Sequence, residues 1–406
     1  MTERGEGASQ GTPETQHICD ACGAGPLTVF ADLGDFPVRC GAHWADPAEA
    51  AESGSGSVVL AYCDQCGFVR NVAFEWDKVI YDTTVDTNLH HSPAFQAFSE
   101  AFIAKFAERH DLAGKHIVEL ACMQGDFLRS LCKATGATGD GYDAMYAGVE
   151  GPDGSGASFH QTLPPGGADL PVYDFVVSRH WLEHVVDPLG FLVDLRENAG
   201  GREVHGFIEI PDAAYDMSTA GWEIIYPHVS YFDGYSMLRL IERAGWRVEE
   251  TETIFHGVLR YAEISINRPE EAPRLGTAPL PGLADRDRQL AAIAGFAQRH
   301  HAERELWAGR LAEWADAGRK PVLWGAGSRG VQFLTLADAE HRLAGVVDVS
   351  PRKWGRYLPV TAHRVDAPES LAALKPEVVI ITNPAYRTEI AGQLAALGVE
   401  AEMVVA

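Results

Sequence analysis

VELACMQGDF (118–127) decides the reading of the chain. Its first residues, with His116 and Ile117 before them, form an apolar run of strand length. Small residues follow, and then DFLRSLCKAT (126–135), whose apolar positions fall at helical spacing. A strand that enters a helix through a small-residue loop offers backbone amides at the helix start, where polar ligand groups bind. Ala121, Cys122 and Gly125 let a ligand come close to the backbone, with Gln124 and Phe127 beside them. The next strand-like piece, GDGYD, ends at Asp143, the position from which an acid accepts hydrogen bonds from ribose hydroxyls. NAD and S-adenosylmethionine (SAM) both use such a frame. A pyrophosphate requires G-x-G-x-x-G, and this loop has one glycine and an acid, Glu119, at its start. A carboxylate there suits an ammonium and a sulfonium. The donor-site candidates are therefore Glu119, Ala121, Cys122, Gln124, Gly125, Phe127 and Asp143, joined by Arg179 and His180 at the end of a later strand.

Outward from this motif, strand-like runs at 116–121, 139–143, 173–179 and 203–211 alternate with helical stretches, which predicts a parallel sheet covered on both faces. RVEETETIF and RYAEISI then read as an antiparallel pair that closes it. A Pro/Gly/Ala-rich interval at 268–285 has the texture of a linker, and a long helix is expected from about 286 to 316. PVLWGAGSRG (321–330) repeats the strand–loop–helix theme. Its Gly325, Gly327 and Gly330 meet the dinucleotide spacing, and Asp348 follows at the end of the next strand, so an NAD-dependent oxidoreductase stands as an alternative. Lys353, Arg356 and Tyr357 lie nearby as phosphate or sugar contacts.

Cys19 and Cys22 form one C-x-x-C pair, and Cys63 and Cys66 a second; each is followed by a glycine that permits a tight knuckle. Four thiolates at tetrahedral geometry suit a structural zinc. Cys40 and His43 are also spaced as ligands and compete for a place. Seven cysteines in 406 residues are too few for a secreted disulfide scaffold. The balance of 33 Lys and Arg against 57 Asp and Glu, a formal charge of −24, argues against a nucleic-acid polymer or an anionic membrane as partner. No apolar run has the length of a membrane span and the polar start has no signal-peptide core, so a cytoplasmic location is expected. The partition expected is a disordered tail at 1–16, a zinc-binding domain at 17–80, a SAM-binding domain at 81–267, the linker, and a helix plus Rossmann-like domain at 286–406.

CDACG…LTVFADLGDFPV, YCDQCGFVRN, VELACMQGDF, VVSRHWLEHVVDP, IEIPDA, YPHVSYF and WGAGSRG…VVDVSPRKWGRYLPV, in that order, resemble the three-domain sugar C-methyltransferases of deoxysugar pathways from about residue 17 to 390. The resemblance implies an α/β fold: a central Rossmann-like methyltransferase sheet, a small N-terminal zinc-binding domain and a C-terminal Rossmann-like domain. It implies SAM and structural zinc as cofactors, antibiotic biosynthesis as setting, and a nucleotide-linked keto-deoxysugar as acceptor. The oligomeric state expected is monomer or homodimer. The implied reaction removes an α-proton and lets the enolate take the methyl. A histidine is the natural base; the resemblance places His228 in that role, His184 in support, and Tyr81 beside the sugar. Glu183 and Tyr226 complete the catalytic candidates. Relatives carry Glu immediately before the base, whereas Pro227 stands here, which leaves three readings open: Glu183 or Glu223 substitutes, the methylated position needs less base assistance, or the scaffold carries another reaction. An O- or N-methyltransferase on a related natural product is the nearest alternative.

Overall fold

In the computed structural model, residues 18–164, 166, 169–269 and 271–406 are described; the tail expected at 1–16 lies outside them. The motif strand, His116–Leu120, sits inside an eight-stranded sheet. On one side of it run Thr138–Tyr142 and Ala157–His160, and on the other Phe175–Arg179 and Val204–Pro211, all parallel to their neighbours. Strand order thus reverses between His116–Leu120 and Phe175–Arg179, and open α/β sheets bind ligands at the carboxyl ends of the strands where this happens. Alternate residues feed opposite cores: Val118, Val176 and Ile208 pack on one face, Ile117, Phe175 and Phe207 on the other.

The expected antiparallel pair is Arg247–Ile254 with Leu259–Ile266, joined to Val204–Pro211. The linker lies along the outer edge of Arg247–Ile254: Arg247 donates to the carbonyls of Pro269 and Ala272, and Leu275 N donates to Glu249. That contact covers an edge which would otherwise offer itself to another strand. Gly151–Pro152 and Ala157–His160 extend the far side of the sheet; the Gly-rich stretch around them carried no strand pattern in the sequence.

An antiparallel sheet near the N-terminus contains Leu27–Pro37, Ser55–Cys63 and Val69–Asn71. Its fourth strand, Ser230–Tyr231, comes from the middle of the chain, so the sheet draws on both sides of the expected boundary at residue 80. The third sheet has five parallel strands in the order Val365–Asp366, Gly345–Val347, Pro321–Trp324, Val378–Ile381 and Glu402–Val405. Helix Leu283–Asp316, three residues longer at its start than expected, joins these layers. Its Phe296 meets Phe30 at 6.1 Å, and its Trp307 meets Phe333 at 5.4 Å. Among the described residues no helix is long and apolar enough to cross a membrane.

Candidate active site

Loops of all three sheets enclose one cavity of about 300 Å³. Ala121, Met123 and Asp143 line it from the switch point, with His180, Glu183 and His184 on the next strand end. Cys40 and Tyr81 face it from the N-terminal part, Glu223 and His228 from the segment that leads into Ser230–Tyr231, and Trp324, Arg329 and Tyr386 from the third sheet.

At the donor end the loop alternates into left-handed conformation at Ala121 (φ 59°), Met123 (φ 51°) and Gly125 (φ 78°). Only the last was legible as a glycine. A Cβ on Gly125 would lie 2.2 Å from the Phe159 ring, so the close approach it permits is to the protein's own core. Asp143 accepts from the amides of Met123 and Met145, both at 2.7 Å, and burial raises its carboxyl to about 6. Glu119 is 1% exposed and accepts from Leu128 N at 3.2 Å; burial pushes it up to about 8. Glu119, Cys122, Phe127 and Arg179 line a smaller hollow of about 20 Å³, which shares Ala121, Met123 and His180 with the main cavity. Gln124 lines neither space, for its amide joins Met145 O and Ala147 N, and Gly125 lines neither also. Arg179 is held by Glu209 at 2.9 Å and lies 4.4 Å over the Phe127 ring. Burial opposes ionisation of Glu209, but Arg179 and His180 outweigh it and hold the carboxyl at about 2. With Arg179 neutralised and the carboxyls of Glu119, Asp126 and Asp143 present, this end suits a cationic ligand better than a pyrophosphate.

The second cluster depends on local turns. His180 leaves its strand at φ 52°, and the short helical turn Leu182–His184 brings Glu183 and His184 to the cavity. Val229 N donates to Glu183 O at 2.8 Å, which ties the His228 segment to that turn. His184 Nδ1 lies 2.9 Å from Pro227 O and 2.9 Å from the Tyr81 hydroxyl. A carbonyl only accepts, so Nδ1 carries the proton and Nε2 keeps its lone pair. Tyr81 Oη then accepts from the same N–H, and its own proton is free for another acceptor. The His228 ring bonds to the backbone of Glu223, and its ring centre lies 4.8 Å from that of His184. Burial, with His180 nearby, lowers His228 to about 3; burial and His228 together lower His184. Burial raises the Tyr81 hydroxyl well above its ordinary value. Both carboxylate oxygens of Glu183 are buried without a hydrogen-bond partner.

Tyr226 is a correction. Its ring stacks 5.4 Å from Phe74, its hydroxyl bonds to the backbone of Glu75, and it does not line the cavity. The residue faces the N-terminal sheet because the chain is turning into the Ser230–Tyr231 strand. Of the two carboxylates considered in place of Pro227, Glu223 is engaged by Ser328 Oγ at 2.9 Å and by Arg329 at 2.5 Å.

The cysteine pairs converge: Cys19 and Cys66 Sγ lie 3.6 Å apart, as do Cys22 and Cys63. Tetrahedral zinc with Zn–S near 2.3 Å sets sulfurs about 3.8 Å apart, so the group is compatible with zinc. Gly23 (φ 67°) and Gly67 (φ 75°) close the two knuckles. Four sulfurs this close cannot all ionise without a cation among them. Cys40 and His43 stand apart from this group; Cys40 lines the cavity and His43 Nε2 lies 3.4 Å from Ala326 O.

The C-terminal glycine loop is satisfied from within. Asp348 accepts from Ala326 N at 2.7 Å and Ser350 N at 2.8 Å, and pairs with Lys353 at 3.1 Å. A Cβ on Gly330 would lie 2.0 Å from Gly325 O, which explains that glycine by packing. Arg356 and Tyr357 do not line the cavity. Gly325, Gly327, Gly330, Asp348 and Lys353 line the shared cavity, with Asp348 and Lys353 paired to each other.

Residues 89–251 match the family model of a methyltransferase domain, and residues 284–406 match that of a C-methyltransferase C-terminal domain. The chain is a SAM-dependent methyltransferase. No curated protein matches it. Among solved structures the methyltransferase is similar to a SAM-dependent methyltransferase from Mesorhizobium loti, with 16% identity over 41% of this chain and 98% of that one and a TM-score of 0.33. Magnesium protoporphyrin IX methyltransferase from Synechocystis, solved with bound SAH, gives 17% identity over 42% and 83% with a TM-score of 0.33. A SAM-dependent methyltransferase from Aquifex aeolicus gives 16% over 44% and 95%, also at 0.33.

Sequence reasoning missed several lining residues of the methyltransferase. Met123 stands in the loop without any polar or small-residue signal, Cys40 was considered only as a metal ligand, and Phe255 and Tyr386 reach the cavity from distant parts of the chain. For Tyr386 the one available signal was Asn383–Pro384 just beyond a strand end.

Proposed function

We propose that the methyltransferase methylates a carbon next to the ketone of a nucleotide-linked keto-deoxysugar held in the shared cavity. SAM, when bound, supplies an electrophilic methyl; Glu119, Asp143 and the 121–127 loop would hold it. The observation that carries the reading is the Tyr81, Glu183, His184 and His228 cluster, which opens on the same cavity as the donor loop. His228, neutral and with one bare ring nitrogen, takes the α-proton. So weak a base needs a counter-charge once protonated, and Glu183, without a hydrogen-bond partner and with an oxygen within 4.8 Å, provides it. His184 holds Tyr81 so that its hydroxyl donates to the developing enolate oxygen. Cys19, Cys22, Cys63 and Cys66 hold a structural zinc that fixes the N-terminal wall.

The test is incubation of candidate keto-sugar nucleotides with the enzyme in heavy water. Deuterium entering the α-carbon, and a product with a new carbon–methyl bond, are expected. Methyl transfer to oxygen or nitrogen without exchange would sink the reading.

Donor affinity should also report on Glu119. Its carboxylate form, populated as pH rises toward about 8, attracts a cationic donor, and the protonated form does not. Affinity for SAM is expected to climb between about pH 5.5 and 7, where the ligand's amino group remains charged, by up to about tenfold per unit. Asp143, raised to about 6, titrates in the lower part of that range, so calorimetric titration of Glu119→Gln should level off above about pH 6.5, where the parent still climbs.

A further inference from the structure

We propose that Glu183, His184 and His228 form a second cation site, for a divalent first-row transition metal. Occupation of it excludes proton transfer by His228.

One ligand atom from each of the three residues lies within 4.8 Å of the other two. Two imidazoles and a carboxylate are a donor set for zinc, cobalt, iron or manganese that leaves positions open. The protons are already placed for it. His184 Nδ1–H points at Pro227 O, and the His228 ring is bonded to the Glu223 backbone, so each imidazole keeps one bare nitrogen. Metal-bound histidines are oriented in the same way, with the far N–H on a carbonyl or carboxylate. Pro227 thus takes part through its carbonyl.

Glu183 supplies the second, independent observation. It is 3% exposed, and neither carboxylate oxygen has a hydrogen-bond partner. The nearest cationic group is His180, whose Nδ1 is 3.8 Å away and whose other nitrogen faces Glu209 at 3.2 Å. Arg329, which also lines the cavity, is bound to Glu223. A buried carboxylate without partners is costly, and a cation held by the two imidazoles would satisfy it. The cavity beside the cluster has space for water or an oxygen ligand at the remaining positions.

The exclusion of turnover rests on the function proposed above, because the lone pair that binds the metal is the one that takes the α-proton. The cation site itself does not depend on it.

The test uses full-length protein with zinc loaded on its cysteines, freed of loose metal and titrated with Co²⁺. Zinc outcompetes cobalt at thiolates, so the cysteine group stays occupied. One cobalt per chain is expected, with a visible d–d band and no near-ultraviolet thiolate charge-transfer band. Glu183→Gln and His184→Gln should each abolish the band while circular dichroism and SAH binding stay as in the parent. Methyl transfer should fall in step with cobalt occupancy and return on chelation. Absence of saturable binding by the parent protein, or binding unchanged in both variants, overturns the site. Cobalt that raises the rate overturns the exclusion. Normal cobalt binding in a protein that methylates no keto-sugar without metal leaves the site standing and removes the function.

Discussion

Replacement of His228 by alanine is expected to lower kcat by about 10²–10⁴-fold, the usual worth of a positioned general base. Affinity for SAH should change little, because His228 lines the main cavity and not the hollow beside Glu119. The size of the effect follows from the surroundings. His228 is 4% exposed, so water cannot easily replace it as proton acceptor. Alanine also removes the ring that packs against His184 at 4.8 Å, and some stability will be lost with it. Parallel measurement of kcat, SAH affinity and thermal midpoint separates the causes. A variant that binds SAH normally, melts close to the parent and turns over at an unchanged rate would remove His228 from the proton step.

The second large effect is expected at the cysteines. Cys63→Ser should lose zinc and, with it, the order of the N-terminal sheet. Structural zinc sites of this class contribute on the order of 10 kcal/mol of binding free energy, as much as a whole domain's net stability. Cys19, Cys63, Cys66 and Phe68 also belong to the same buried cluster as Phe232 and Met237, so the disturbance extends into the central sheet's own core. Arg243 adds a link from that side by donating to the carbonyls of Cys19 and Asp20. Metal content and a calorimetric scan of the variant check this. A zinc-free chain with the parent's melting profile would show that the cysteines are not a structural staple.

Local signals were legible in the sequence and assembled ones were not. The 118–127 motif showed its strand, loop and helix because apolar periodicity and small residues are written in adjacent positions. The cysteine knuckles showed for the same reason. Four positions had to be learned from the structure. Tyr226 looked like a site residue by its neighbours in the chain, yet the Ser230–Tyr231 pairing turns it toward Phe74. Glu223 looked available as a partner for His228, yet an arginine more than a hundred residues later binds it. Ala121 and Met123 adopt left-handed backbone that their side chains disfavour, so at those two positions of the donor loop no glycine announced the shape.

The two-residue strand Ser230–Tyr231 has a practical result for anyone dissecting this molecule. It borrows a place beside Val69–Asn71, which precedes it by about 160 residues, in a sheet whose other strands lie earlier still. Expressing residues 81–267 as an isolated fragment would strand those residues without neighbours and leave Val69–Asn71 with a bare edge in the complementary piece. The molecule should therefore be handled, crystallised and engineered as one indivisible body, with grafts and exchanges designed around its crossings and not at its apparent seams.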